Sequence, residues 1–194
     1  MSGRRGTRAG VHRAPSDVKK IGFLSFGHWS TSAYSQVRSG SDALIQSIEL
    51  AEAVEDLGAD GAYFRVHHFA QQLASPFPLL AAIGARTKRI EIGTAVIDMR
   101  YENPAYMVED ASAADLIAGG RLQLGISRGS PEQVIDGYHY FGYVPGADET
   151  DADMARRNAV RSLTSPRPST SSCCAARPET FIAVPSGNGV RPRA

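Results

Sequence analysis

The sequence predicts an α/β protein built from parallel strand–helix units. Short runs rich in apolar and β-branched residues recur four times between residues 20 and 127. The segments between them carry apolar residues at the spacing of a helix face, and glycine or proline marks most of their ends. Two strands joined by one helix of this length run parallel, with a right-handed crossover. The expected order is therefore β, α, β, α, β, α, β, in either an open sheet or a barrel.

The first predicted strand, residues 20–26, leads into a long loop rich in serine and glycine. A helix is then expected to begin at Ser41 or Asp42, either of which can cap it, and to stop at Gly58. Its apolar side should consist of residues that recur every three or four positions: Leu44, Ile48, Ala51, Val54 and Leu57. This helix leads directly into the strand on which the predicted site depends.

That second strand covers residues 61–69 and includes the adjacent His67 and His68. Side chains alternate between the two faces of a strand, so one imidazole can point to the sheet interior while the other supports the loop. Two later strands also end in polar residues, around Thr94 and around Ser127. The carboxyl ends of parallel strands all lie at the same end of the sheet. The polar residues at these three strand ends therefore predict a shared site.

The remaining elements are marked by proline. Ser75–Pro76 is expected to start the second helix and Asn103–Pro104 the third, because the first turn tolerates the missing amide donor of proline. Residues 89–97 and 121–126 are the predicted third and fourth strands, and residues 148–163 a fourth helix. No glycine-rich dinucleotide-binding motif follows any of these strands, which argues against a Rossmann domain.

Composition restricts the class of protein. The chain has 194 residues, of which 42% are hydrophobic and 21% charged, and its net charge is +1. This charge provides no strong field for nucleic acid or a membrane surface, and no apolar run is long enough to span a bilayer. Cys173 and Cys174 are adjacent, so they are expected to be free thiols in a reducing compartment. We therefore expect a cytoplasmic protein without nucleic-acid, membrane or metal partners.

We expect three segments along the chain. Residues 1–19 should form a disordered basic leader, residues 20–160 the βα domain, and residues 161–194 a tail without regular structure. The tail contains five prolines and clusters of serine and arginine, and it has no sustained periodicity. Since a complete eight-unit barrel takes about 250 residues, the expected origin of the tail is a truncation or a frameshift near residues 160–165.

Several sequence blocks, in a fixed order, form a specific pattern. They are Gly58-Ala59-Asp60-Gly61 before His67-His68-Phe69, then Arg89-Ile90-Glu91-Ile92-Gly93-Thr94-Ala95-Val96, then Asn103-Pro104, then Gly119-Gly120-Arg121-Leu122 before Arg128-Gly129. With these blocks, residues 20 to about 157 resemble the amino-terminal half of the bacterial luciferase-like, flavin-dependent monooxygenase and oxidoreductase superfamily. The resemblance implies an incomplete TIM-type (β/α)8 barrel with about four of its strands.

The resemblance also implies a site. His67 would lie at the flavin and act during its reaction with oxygen, and His68 would support it. A non-prolyl cis peptide beneath the flavin ring would fall at Ala95–Val96, and the planar guanidinium of Arg128 would pair with the FMN phosphate. The other implied cofactor-binding positions are Thr94, Ser127 and Gly129.

Two functions remain open on this evidence. The first is an enzyme that uses FMN, reduced by a separate flavin reductase, and molecular oxygen to oxidise a small organic substrate; a deazaflavin-using relative is a variant of it. The second is a non-catalytic remnant, or a half-barrel that needs a partner chain in a homo- or hetero-oligomer. Four strands alone leave two unpaired sheet edges and an uncovered layer of barrel-core side chains, which favours association.

Overall fold

The computed structural model describes residues 19–127, 134–164 and 181–183. Five strands form one sheet: β1 (Gly22–Ser25), β2 (Gly61–Phe64), β3 (Glu91–Asp98), β4 (Leu122–Ser127) and β5 (Phe181–Ala183). The strand order in the sheet is β1-β2-β3-β4-β5, and every neighbouring pair is parallel. The helices are α1 (Gly40–Asp56), α2 (Pro76–Arg86), α3 (Pro104–Ile117) and α4 (Asp151–Thr164), and a 3-10 helix covers Gly137–Phe141.

The arrangement of the helices decides between an open sheet and a barrel. Helix α1 contacts α2, α2 contacts α3, and α3 contacts α4, so the four helices form a single layer beside the sheet. A doubly wound sheet would carry helices on both faces and would reverse its strand order at a switch point. Sequential parallel strands with one outer helix layer are instead the units of a TIM-type barrel. The predicted fold class is confirmed.

The fifth strand corrects two expectations. The sheet has one strand more than the predicted four, and the strand falls inside the segment 161–194 that was expected to lack regular structure; α4 also extends into that segment, to Thr164. Phe181 pairs with Leu124 of β4. Three residues are too few for a periodicity signal, but the free edge of β4 supplies the backbone donors and acceptors that a short apolar segment needs. The rest of the predicted tail, and the predicted leader through residue 18, lie outside the described residues.

Helix α1 also differs from its prediction in where it starts. Its N-cap is Ser39, whose hydroxyl accepts from the Asp42 amide at 3.1 Å while the Asp42 carboxylate accepts from the Ser39 amide at 3.0 Å. This reciprocal capping box satisfies two otherwise unpaired donors, which explains why the helix starts before Ser41. Its end is as predicted, since Gly58 adopts φ +92°. In the described residues no helix is both long and apolar enough to cross a membrane.

The pleat of the sheet separates an apolar core from a more open inner face. The side that packs on the helices carries the core, whose largest members include Phe64, Leu80, Ile83, Ile92, Ile97, Met107, Leu122 and Leu124. The opposite side, here called the inner face, carries Leu24, Tyr63, Gly93 and Gln123 at one level of the register. On the edge strand β1, Leu24 remains 48% exposed. The inner face is the side that would form the interior of a complete barrel.

Candidate active site

The carboxyl ends of β1 to β4 lie at one edge of the sheet. The pairing continues just beyond the strands, where the Arg65 amide donates to the Ser25 carbonyl at 2.8 Å and the Met99 amide donates to the Ser127 carbonyl at 2.9 Å. The loops that follow each strand therefore start side by side. This is the end of a parallel βα sheet at which ligands bind.

The second strand ends at Phe64 and not at residue 69 as predicted, so His67 lies in the loop between β2 and α2, three residues after the strand. The preceding Val66 is buried in the core at 8% exposure, whereas the Arg65 guanidinium lies 5.6 Å from the centre of the Phe26 ring on the inner face. The His67 amide donates to the Leu73 carbonyl at 2.9 Å and its side chain is half-buried. The loop thus ties the histidine backbone to the start of α2, as a site residue requires.

His68 lies between two aromatic rings. Its imidazole stacks on Tyr101 at a centroid distance of 4.4 Å and meets Phe141 at 5.1 Å. Burial lowers the pKa of His68, the Asp98 carboxylate opposes that shift, and His67 adds to it. A neutral imidazole keeps one nitrogen as a hydrogen-bond acceptor. The buried Nε2 atom has no hydrogen-bond partner among the described residues.

The aromatic residues around His68 form a continuous wall. We call the set Phe69, Tyr101, Tyr138, Tyr140 and Phe141 the aromatic wall, because each of its rings lies within 6.4 Å of another. Phe69 has φ +57°, a conformation that costs a bulky residue about 1–3 kcal/mol. A Cβ on Gly137 would meet the Phe69 ring at 2.7 Å and the Tyr101 hydroxyl at 3.0 Å. A larger residue at this position would have to displace the Phe69 ring.

A mostly buried ion pair between Asp98 and Arg100 contacts the aromatic wall at Tyr138. Asp98, the last residue of β3, accepts from the amide of Arg100 at 2.9 Å and from its guanidinium at 2.7–3.2 Å. The two side chains are only 15% and 13% exposed. The same guanidinium lies 5.3 Å from the centre of the Tyr138 ring. The Arg100 guanidinium is hydrogen-bonded to Asp98 and stacked on Tyr138 at the same time. These contacts fix the orientation of the loop after β3.

Thr94 has a structural contact that limits its part in the site. Strand β3 continues to Asp98, so Thr94 lies inside the strand and is only 3% exposed, rather than at the predicted strand end. Its hydroxyl donates to the Gly125 carbonyl and accepts from the Gly125 amide, both at 3.0 Å. Three positions separate Thr94 from Ile97, but only two separate their partners in β4. The hydroxyl bridges this bulge in the ladder.

The bulge contains the two residues for which the sequence predicted a cis peptide. The Ala95–Val96 bond is cis, as expected, and both side chains are half-buried. A Cβ on Gly125 would meet the Val96 side chain at 2.9 Å, which places Val96 on the inner face beside Gly125. Ser127 ends β4 directly opposite Asp98. The structure thus brings His67, His68, Ala95, Val96 and Ser127 to one end of the sheet.

Two predicted residues, Arg128 and Gly129, lie outside the described residues. Sequence reasoning in turn missed Tyr101, Asp98 with Arg100, and Glu102, all of which belong to the end of β3 or to the loop after it. Their position directly after a parallel strand was the signal that could have found them. Burial, with the nearby carboxylates of Asp98 and Asp110, raises the pKa of Glu102 to about 7.

Comparison with known proteins identifies the family. The model of the luciferase-like monooxygenase family matches residues 20–161, which include every described element of the site. The chain belongs to this family. The match to the family covers β1 to β4, helices α1 to α3, most of α4 and the histidine pair.

Two relatives illustrate the relationship. The 4-hydroxyprotoasukamycin monooxygenase of Streptomyces nodosus subsp. asukaensis is 30% identical over 138 residues, which are 70% of this chain and 35% of that protein. The oxygenase component of the flavin-dependent trigonelline monooxygenase of Acinetobacter baylyi is 27% identical over 120 residues, 61% of this chain and 32% of that protein. This luciferase-like chain therefore spans about a third of the length of these relatives.

A solved structure shares the fold. The oxygenating constituent of 3,6-diketocamphane monooxygenase from Pseudomonas putida, in complex with FMN, superposes with a TM-score of 0.62 at 20% identity. The superposition covers 74% of this chain and 38% of that one. At this identity the likeness concerns the fold alone. It agrees with the partial barrel seen in the strand order.

The described residues fit a flat, polar ring system at this end of the luciferase-like domain. Gly93 and Gly125 both lie on the inner face, and a Cβ on Gly125 would meet the Thr94 carbonyl oxygen at 2.5 Å and the Val96 side chain at 2.9 Å. The unpartnered Nε2 of His68 is a buried polar atom in the same region. A buried polar atom without a protein partner is a group that a bound heterocycle can satisfy.

Proposed function

We propose that this chain carries the flavin-binding half of a luciferase-like monooxygenase, which uses FMN and molecular oxygen to oxidise a small organic substrate. The observation that carries the proposal is the convergence of His67, His68, Ala95, Val96 and Ser127 at one end of the sheet, within the segment that matches the family. Bound flavin would supply the electrons that activate oxygen. The residues of the chain supply position, shielding and proton placement.

Each residue has a stated role in this proposal. His67 lies at the flavin ring as the catalytic residue, and His68 keeps the histidine loop in place through its stack on Tyr101. Because burial lowers the pKa of His68, its imidazole is neutral at pH 7 and can accept a hydrogen bond. Ala95 and Val96 offer a half-buried surface for the ring, with Thr94 holding the bulge that contains them.

The phosphate end of the cofactor is assigned from the sequence. Arg128 would pair with the FMN phosphate, beside Ser127 and Gly129, at the end of β4. A guanidinium suits this task because its planar fork donates two parallel hydrogen bonds to one phosphate. The name of the Acinetobacter relative as an oxygenase component supports a separate flavin reductase as the partner that delivers reduced FMN.

Titration of the purified full chain with FMN, followed by quenching of flavin fluorescence, tests the proposal. We expect weak but saturable binding, because much of a complete barrel's wall is missing from the five-stranded sheet. Arg128→Ala should remove most of the binding, and His67→Ala should leave binding largely intact while abolishing any substrate-dependent oxygen use. Arg89→Ala, at the opposite end of the sheet, is the matched control. Binding that is unaffected by Arg128→Ala would contradict the assigned phosphate position.

A second candidate function follows from the exposed inner face. Leu24 and Phe26 on the β1 side are 48% and 43% exposed, and Ile21 is 71% exposed. Apolar residues at a sheet edge favour association with another chain. A non-catalytic remnant or a half-barrel that requires a partner would fail to couple FMN to oxygen use when alone. Sedimentation of the chain with and without FMN distinguishes the candidates, and titration with a deazaflavin in place of FMN tests the cofactor variant.

A further inference from the structure

A cleft of about 370 Å³ lies outside the aromatic wall, between the first turn of α3 and the inner side of α4. Its walls include Tyr143, Met154, Arg157 and Arg161. The volume falls in the range of sites for small organic ligands, about 300–1,000 Å³. Tyr101, Tyr138 and Met154 form one buried cluster, and that cluster separates the cleft from His68. The cleft is therefore distinct from the proposed flavin site.

The amide side chains around the cleft are already used by the backbone. The Asn103 oxygen accepts from the amides of Ala105 and Tyr106 at 2.9 and 3.4 Å, where it caps α3. The Asn158 nitrogen donates to the carbonyls of Met99 and Glu102 at 3.1 and 3.2 Å, and the residue is only 6% exposed. These amides hold the walls together, so the polar character that the cleft presents comes mainly from its arginines.

Two arginines one helical turn apart give the cleft a positive charge. Arg157 binds the Glu149 carboxylate through two parallel hydrogen bonds of 2.9 and 3.0 Å, which fixes its guanidinium in place. Arg161 follows four residues later, on the same side of α4, and is exposed. The Glu149 carboxylate offsets the charge of Arg157, which leaves the Arg161 guanidinium as the cationic group at the rim of the cleft. The preferred ligand is therefore a monoanion.

The rest of the cleft lining is apolar and aromatic, and it determines which non-ionic part of a ligand fits. Met154 is 1% exposed and forms an apolar floor, and Tyr143 adds an aromatic side. Burial first, and then the neighbouring Glu102 and Tyr106, raise the pKa of Tyr143, so its hydroxyl remains a hydrogen-bond donor near neutral pH. An apolar floor, an aromatic side and a cationic rim together suit an amphipathic molecule.

We propose that the cleft between α3 and α4 binds a small organic monoanion, with a carboxylate at Arg161 and an apolar body over Met154 and Tyr143. The site is independent of the flavin. It gives the chain a second ligand position, next to the loop that carries Tyr101.

Benzoate is a suitable probe, and benzamide is its neutral isostere. Both are titrated into the ¹⁵N-labelled full chain and followed by amide chemical shifts. We expect saturable shifts from benzoate at Asn103, Ala105 and residues 142–144 and 154–161, and weaker binding of benzamide. Arg161→Ala should weaken benzoate binding about five-fold, the scale of an exposed charge pair. Arg156→Ala should leave it unchanged, because Arg156 pairs with Asp153 and does not line the cleft.

Several outcomes would overturn the proposal. Benzoate shifts centred on residues 67–69 and 101 would assign the anion to the proposed flavin site. Equal weakening by Arg156→Ala and Arg161→Ala would indicate a bulk charge effect, and equal affinity for benzamide would remove the anion preference. Both arginines are exposed, so neither variant should change the thermal unfolding midpoint, and Arg161→Lys should recover part of the lost affinity.

Discussion

The two ends of the sheet differ in how fully their buried polar groups are hydrogen-bonded. At the amino end, the Glu55 carboxylate accepts from the amides of Lys88, Arg89 and Ile90 at 2.7–3.1 Å. The Arg121 guanidinium donates five hydrogen bonds of 2.6–3.0 Å, four of them to backbone carbonyls. These two side chains connect the end of α1, the end of α2, the segment between α2 and β3, and the end of α3.

At the carboxyl end the balance is different. The Nε2 of His68 is buried without a hydrogen-bond partner among the described residues, and Phe69 has a left-handed backbone. Glu102 is a half-buried carboxyl group near the carboxylates of Asp98 and Asp110. Each of these features costs stability unless a ligand or a proton compensates it. The polar groups of the amino end are satisfied within the protein, whereas the unsatisfied Nε2 of His68 lies at the carboxyl end, the end at which barrels of parallel strands bind their ligands.

The largest effect should come from removing the amino-end clamp. Arg121→Ala leaves carbonyls of Gly84, Thr87, Ile90 and Ala118 without their donor. We expect a loss of about 4 kcal/mol in the free energy of unfolding. Urea unfolding measures it. Arg86→Ala, which removes an exposed pair with Glu52, is the control and should cost under about 1 kcal/mol. Similar losses of stability in Arg121→Ala and Arg86→Ala would show that Arg121 contributes no more to stability than an exposed ion pair does.

At the other end, Glu102→Gln should stabilise the protein in a pH-dependent way. With a folded pKa of about 7 against an ordinary 4.5, Glu102 stays protonated on folding. The stability of the parent protein should therefore fall as the pH rises from about 4.5 through 7. Glu102→Gln has no carboxyl group to ionise here, so its stability does not fall in this way. Its free energy of unfolding should exceed that of the parent by near zero at low pH and by at most about 3 kcal/mol above pH 7. Urea unfolding at pH 4.5 and 8.5 checks this, with the exposed Glu109→Gln as control.

Glu55→Gln should show the opposite pH dependence. Burial opposes ionisation of Glu55, but hydrogen bonds from three backbone amides outweigh it and lower the pKa below 4.5. Its contribution is then complete above the unfolded pKa and is lost as the pH falls through the folded value. We expect a loss of about 2 kcal/mol at pH 7 that shrinks in acid. A constant difference from pH 7 to pH 3 would contradict this origin.

The smallest effect concerns the titration of His68. Burial lowers its pKa, so its NMR titration midpoint should lie below the ordinary 6.5. Tyr101→Leu removes the stacked ring and should move the midpoint toward that value. An unchanged His68 midpoint in Tyr101→Leu would show that the stack does not control its burial.

The sequence by itself determined the class of fold and most element ends. Ser75–Pro76, Asn103–Pro104 and Gly58 marked helix ends correctly, because capping and backbone preferences act over a few neighbouring residues. The sequence also singled out the histidine pair, since a polar pair at the end of an apolar strand is a local pattern.

Only the tertiary structure decided which distant residues the elements and side chains predicted from the sequence contact. Tyr101 stacks on His68 from 33 positions away in the sequence, and the Thr94 hydroxyl bonds to Gly125 across a bulge. The strand at Phe181–Ala183 forms because β4 offers an edge, which no three-residue window can reveal. Register and crossover geometry bring distant residues together, so burial and hydrogen-bond partners follow from the assembled sheet and not from local sequence.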